Sequence, residues 1–267
     1  MGRAKDIIVK PISARDGNRI IKRLHYSGKV VNNSQIHLGV FLDGRCGGAL
    51  QFGPSLDKRK IMGLVKGTGW NEFIELNRLA LADWLPRNGE SRSISICMML
   101  LKKHYPHLKW VVSFADGTQC GDGTIYRASG FVLTGVKVNN QIWIMPGGET
   151  TTRLVATDTR RPERKRLLSR VSVTKGKHII ENGGASMQPF IDAGAKPLQG
   201  YQLRYIYFLK PECRKLLTVP EIPFSKIDEM GAGMYLGKPK RPKKHDSKNP
   251  LESGRGSTDP DAPQLGN

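Results

Sequence analysis

The chain has 267 residues, with 43 Lys and Arg against 23 Asp and Glu, a formal net charge of +20 and a pI near 10.0. Such an excess points to a polyanionic partner, with nucleic acid ahead of an anionic membrane surface. No apolar run approaches the ~18 residues of a membrane span, and the four cysteines (Cys46, Cys97, Cys120, Cys213) form no C-x-x-C pair, which argues against structural zinc and for free thiols in a reducing compartment. No apolar segment follows the charged N-terminus, so no secretory signal is read and a cytoplasmic setting is expected. Residues 231–267 hold seven basic and four acidic residues, so most of the charge excess belongs to the body of the chain.

Residues 7–12 alternate as a first strand, and Ser13 offers an N-cap for a helix running to about Leu24. That helix stops before His25-Tyr26-Ser27-Gly28. Strands over 37–42 and 46–52 follow, joined by the hairpin signal Asp43-Gly44. Residues 72–81 alternate imperfectly and read as a strand with a bulge. Ser91 is predicted to cap a helix through Ile94, Cys97, Met98, Leu101 and Tyr105, apolar positions three and four apart. The run 110–115 reads as a buried strand that delivers Asp116 to a glycine-rich turn, and 124–130 as a short helix carrying Tyr126.

A hairpin around Asn139-Asn140 is expected over 135–144. A basic insertion occupies about 150–200, with a helix-like run over 163–170 that is open to reading as a solvated face or a DNA grip. Residues 202–209 return to strand, with Tyr201, Tyr205 and Tyr207 on one face. From about 231 the composition is that of a disordered basic tail. The order β-α-β-β-β-α-β-α-β resembles the GNAT acyltransferase fold, an α/β (α+β) domain whose mixed sheet, flanked by helices, splays at its fourth and fifth strands. One such domain is expected over 1–230, followed by the tail 231–267.

Three constellations carry candidate chemistry. His25-Tyr26 sits in a loop, where the pair serves either as local structure or as a base, a metal ligand or a stacking platform. Glu75 and Arg78 flank the bulge, aimed into the splay or paired with each other. Asp116 and Tyr126 meet at a strand end, although a carboxylate in such a turn also serves simply to bind turn amides.

Five ordered blocks together resemble the Mom family of bacteriophage DNA-modification proteins. They are His25-Tyr26, Phe73-Ile74-Glu75-Leu76-Asn77-Arg78-Leu79, Ser91, Ser113-Phe114-Ala115-Asp116 with Gly121-Asp122-Gly123-Thr124-Ile125-Tyr126-Arg127-Ala128, and Tyr201-Gln202-Leu203-Arg204-Tyr205-Ile206-Tyr207-Phe208-Leu209. The resemblance implies a GNAT-like transferase acting on double-stranded DNA, converting adenine to N6-carbamoylmethyladenine and so evading host restriction. The residues it implies are His25, Tyr26, Arg78, Ser91, Asp116 and Tyr126. One departure is Cys120-Gly121-Asp122, where such proteins often carry a histidine.

Adenine N6 is buried in the duplex, so base flipping is expected, with Tyr26, Trp70, Phe114 and Tyr126 as candidates to receive the base. Asp116 would take a proton from the amine and Arg78 would steady an oxyanion. The phosphate loop of acetyl-CoA enzymes is reduced here to Gly89, leaving Arg87, Gly89, Ser91 and Arg92 as candidates to hold an anion at a helix start. Carbamoylmethyl on N6 is an isomer of glycyl on N6, so the donor candidates are an acyl-CoA and a glycine-derived carrier such as glycyl-tRNA. His25, Asp116 and Tyr126 also form a hard N/O set compatible with iron. The competing classes are a GNAT acetyltransferase acting on protein or small molecules and a non-catalytic DNA-binding protein, but the sequence carries no helix-turn-helix or zinc motif for the latter.

Overall fold

The computed structural model describes residues 2–118, 121–171, 185–235 and 238–239. In chain order the elements are β1 (Ile8–Pro11), α1 (Ala14–Leu24), β2 (Ile36–Leu42), β3 (Arg45–Gly53), α2 (Lys58–Met62), β4 (Phe73–Leu81), α3 (Gly89–His104), β5 (Trp110–Asp116), α4 (Thr124–Ala128), β6 (Val132–Val138), β7 (Ile142–Ile144), β8 (Thr150–Thr152), α5 (Arg153–Thr157), α6 (Pro162–Leu168), α7 (Gln188–Asp192), β9 (Lys196–Pro197), β10 (Tyr201–Phe208) and α8 (Ser225–Glu229). Seven strands form the main sheet in the order β1-β2-β3-β4-β5-β10-β6. All its pairs are antiparallel except β4 with β5.

The two sheet faces are covered by helices whose apolar stripes are legible in the sequence. The Ser13 side chain accepts from the Asp16 N–H and starts α1, and Ile21 then seats against Ala49 and Ala80 on one face. Gly17 lies close to the sheet there: a Cβ on it would stand 3.1 Å from Gln51 Nε2 and 3.3 Å from His37 Nδ1. On the opposite face, Ile94, Cys97, Met98 and Leu101 of α3 join Leu38, Val40, Leu50, Leu76 and Val111. Each fully buried side chain of this size contributes about 1.5–3 kcal/mol. The expected cap of α3 is corrected: the helix begins at Gly89 after Asn88, which adopts φ 67°, and Ser91 is its third residue. Gly89 lies close to its neighbours there: a Cβ on it would stand 3.3 Å from Ile7 Cδ1 and 3.5 Å from Leu81 Cδ2 of β4.

The feature that makes the site is a divergence between β4 and β5. Arg78 pairs with Gln51 and Leu76 with Phe52, so Asn77 is the extra residue of a bulge, as the broken alternation predicts. The parallel rungs run from Phe73 opposite Trp110 only as far as Leu76 opposite Ser113. Beyond that rung β4 stays with β3 to Leu81, and β5 stays with β10 to Asp116. The sheet therefore opens into a wedge. Ser113, fully buried, closes its apex: its Oγ lies 3.2 Å from the Leu76 carbonyl and 3.0 Å from the Tyr126 hydroxyl.

The hairpin expected at Asn139-Asn140 does not form. β6 remains on the edge of the main sheet beside β10, whereas β7 joins a separate three-stranded sheet ordered β8-β7-β9. The insertion has its own apolar cluster, including Met145, Leu167, Leu168 and Phe190. On β10, Leu203 and Tyr205 are buried in the main core with Tyr201 and Tyr207 packed against it, so the tyrosine face is as expected. Ala232 is also fully buried in that core, so the body extends past the expected boundary at 230. Most of the expected tail falls outside the described residues.

Candidate active site

The wedge holds a cleft of about 630 Å³ that brings together His25, Tyr26, Arg78, Asp116 and Tyr126. These come from four elements or their ends. α1 delivers His25 as its C-cap, where the backbone turns extended. β4 supplies Arg78 immediately after the bulge, β5 ends in Asp116, and α4 carries Tyr126.

His25 is held as a neutral ring. Its Nδ1 accepts the Ser27 N–H at 3.2 Å and contacts Ser27 Oγ at 2.8 Å, an arrangement that leaves the ring proton on Nε2. Burial, reinforced by the Arg78 charge, pulls its pKa down to about 4. His25 is thus a poor base but a competent hydrogen-bond donor at neutral pH. Because the folded value lies below the unfolded one, the unfolded chain binds more protons between about pH 4 and 6.5, and stability falls as pH drops through that window. His25→Gln is expected to flatten that loss. Urea midpoints at pH 7 and pH 4.5 check this, and an unchanged difference between the two midpoints would contradict it.

Two of the Arg78 donors are anchored, Nε on the Lys29 carbonyl at 3.0 Å and one terminal nitrogen on the Asn77 carbonyl at 2.7 Å. The guanidinium has five N–H donors, so others are left for the cleft. One Asp116 oxygen accepts the Thr118 N–H at 3.0 Å, so this residue both orders the turn and lines the cleft. Tyr126 is 8% exposed, stacked on Tyr205 at 5.1 Å with Phe131 at its edge. Tyr26 is 57% exposed and lies 4.3 Å from the His25 ring. Phe114 also lines the cleft. Trp70 does not: it stands in the loop before β4, 4.6 Å from the Lys58 ammonium. Glu75 lies outside the cleft lining, and burial raises its pKa.

Ser91 is not in this cleft. With Arg87 and Gly89 it lines a neighbouring one of about 490 Å³ at the start of α3, and the two share Leu81, Glu90, Thr124 and Ile125 as walls. Ser91 Oγ donates to the Asn88 carbonyl at 3.2 Å, and its own carbonyl accepts from Ser95 and Ser129. Arg92 is exposed and lines neither cleft. Asp83 and Glu90 also line this second cleft. The lining of this second cleft is therefore of mixed charge. Among the described residues no group of three His, Cys, Asp or Glu side chains is arranged to hold a metal, and the Tyr126 hydroxyl of the suggested iron set is bonded to Ser113.

Several contributors carry weak sequence signals. Glu90 stands where the clefts meet, and desolvation raises its carboxyl above the usual range. Asp122 pairs with Arg127 at 3.0 Å, and its carbonyl accepts the Tyr205 hydroxyl. Gly123 takes φ 70° directly against the Tyr205 ring. Its place after Asp122 in a glycine-rich turn was the one visible cue.

A mixed sheet with a single parallel pair, opened at that pair by a bulge, is the arrangement of a GNAT-like domain. The Mom protein family matches residues 6–226, and the chain belongs to that family. Its relatives include the methylcarbamoylase Mom of Escherichia phage Mu, 41% identical over 133 residues. That alignment covers 49% of this chain and 55% of the phage protein, so it spans about half the length of each. Among solved structures, a GNAT-family acetyltransferase from Streptococcus pneumoniae is 12% identical, with TM-score 0.36 over 49% of this chain and 88% of that one. The ribosomal-protein-S18-alanine N-acetyltransferase of Escherichia coli is 8% identical, with TM-score 0.39 over 76% of this chain and 94% of that one.

Proposed function

We propose that this chain is a DNA-modifying transferase that converts adenine in duplex DNA to N6-carbamoylmethyladenine and so shields the DNA from restriction endonucleases in a host cytoplasm. The observation that carries the reading is convergence: in a member of the Mom family, His25, Tyr26, Arg78, Asp116 and Tyr126, spread over a hundred residues of sequence, line one cleft. The basic body supplies the attraction to DNA. Tyr26 receives the flipped adenine by stacking, as deaminases and methyltransferases also require an extruded base. Asp116 accepts the proton lost by N6 as it attacks the carbonyl of a glycyl ester, the remaining Arg78 donors stabilise the oxyanion that forms, and the carrier hydroxyl leaves. The free glycyl amine then displaces the amide nitrogen at C6, an isomerisation that turns N6-glycyl into N6-carbamoylmethyl with no atom gained or lost. Neutral His25 donates from Nε2 and orients the base or donor. The second cleft, with Arg87, Gly89 and Ser91, is the approach for the donor.

The mixed charge of that second cleft leads us to a glycine-derived donor in place of acetyl-CoA. Cells expressing the chain and fed carbon-labelled glycine are expected to place label in the added group; an unlabelled group would rule out the glycine route while leaving the transferase class standing. Plasmid from the same cells is expected to resist endonucleases with adenine in their sites. Full cutting of that plasmid would count against the function itself.

A further inference from the structure

We infer that the outward face of α1 is the surface on which the DNA backbone lies, resting on the reading of the cleft as an adenine-modifying site. α1 is strongly two-sided. Gly17 and Ile21 are buried, with Ile20 and Leu24 packed on the same side, whereas Arg15, Arg19, Lys22 and Arg23 are all exposed. At 3.6 residues per turn those four cations fall within about a third of the helix circumference, opposite the buried stripe.

Their spacing suits a polyanion. Arg15, Arg19 and Arg23 recur every four residues, a rise of about 6 Å, close to the ~7 Å axial span of two successive phosphate steps on one strand. Arg19 and Arg23 also bracket a depression of about 290 Å³ lined by Ile20 and Cys46, a seat for a phosphate between two arginines one turn apart. The acidic residue of α1 is Asp16, which pairs with Arg19 at 2.7 Å; among the described residues Arg15, Lys22 and Arg23 form no ion pair.

The direction of the stripe links it to the chemistry. The C-terminal end of α1 becomes His25 and Tyr26, both of which line the cleft. Exposed Lys29 follows in the same loop, and its carbonyl holds Arg78. A strand tracked along Arg15, Arg19, Lys22 and Arg23 is therefore led to the exposed Tyr26 ring. The small inserted subdomain is a weaker candidate, because several of its arginines are already paired: Arg160 and Arg161 with Asp158, and Arg166 and Arg170 with Glu149.

The test is the salt dependence of binding to a short labelled duplex, measured by anisotropy on the full chain. Each lost phosphate contact removes about 0.9 from the slope of log affinity against log salt. R15Q/R19Q/R23Q is expected to lose about 2–3 units of slope and at least about tenfold in affinity at moderate salt, with the charge-keeping R15K/R19K/R23K close to wild type. A control on the insertion, R153Q/R160Q/K165Q, is expected to keep the wild-type slope. An unchanged slope in the glutamine variant, an equal loss in the insertion control, or a loss in the lysine variant would each overturn the α1 surface. Wild-type protein with no salt-dependent duplex binding would instead refute the reading of the chain as a DNA-modifying enzyme, so the two failures are distinguishable.

Discussion

Asp116→Asn is expected to lower N6-modified adenine by at least about a hundredfold, within the range that general acid–base groups contribute, and Tyr126→Phe to lower it through loss of the hydroxyl in the cleft lining, each with little change in stability. Asn at 116 keeps an oxygen for the Thr118 N–H, so the turn survives while the proton acceptor is lost. Phe at 126 keeps the stack on Tyr205 and the edge contact with Phe131. Ser113 retains the Leu76 carbonyl as partner, so the wedge apex stays satisfied. Modified nucleosides and thermal midpoints, measured side by side, separate chemistry from folding. Wild-type modification by both variants would make the strand-end pair structural.

Gly123→Ala is expected to be the most damaging single methyl in the cleft. At φ 70° an alanine is strained, and its Cβ would stand 2.5 Å from a Tyr205 ring carbon and 2.8 Å from the hydroxyl. Backbone strain of about 1–3 kcal/mol and overpacking of about 1–3 kcal/mol together predict a loss of roughly 2–6 kcal/mol. For a domain of this size that lowers Tm by roughly 4–24 °C. Because Tyr205 stacks on both Tyr126 and Phe224, the displaced ring also disturbs the site, so residual activity should fall further than the unfolded fraction explains. A midpoint within 2 °C of wild type, on the same scale, would contradict this account of the turn.

The elements read most directly from the sequence are those whose stabilising partners repeat along one face. α1 and α3 follow their apolar spacing, and the bulge in β4 follows the break in alternation at Leu76-Asn77. Local signals failed where a distant partner decides the outcome. Asn139-Asn140 has hairpin chemistry, yet β6 finds its partner in β10, some sixty residues later, and β7 pairs with β8 and β9. Ser91 is a good cap type, but Asn88 in the left-handed region starts the helix one turn earlier, with Ser91 bonded back to its carbonyl. The polar residues of the main cleft were legible as motifs. Their grouping was not, since it depends on how far β4 and β5 part after Ser113, and that also sets Ser91 in a second cleft. The neutrality of His25 was likewise hidden, because it arises from burial and from Arg78, a residue far along the chain.

The most direct measurement is mass spectrometry of nucleosides from DNA of cells expressing the chain, beside cells expressing Asp116→Asn. The cleft as described predicts a new deoxyadenosine carrying a carbamoylmethyl group on N6 in the first sample and its near-absence in the second. Unmodified adenine in both samples, or an N6-acetyl product in the first, would contradict it.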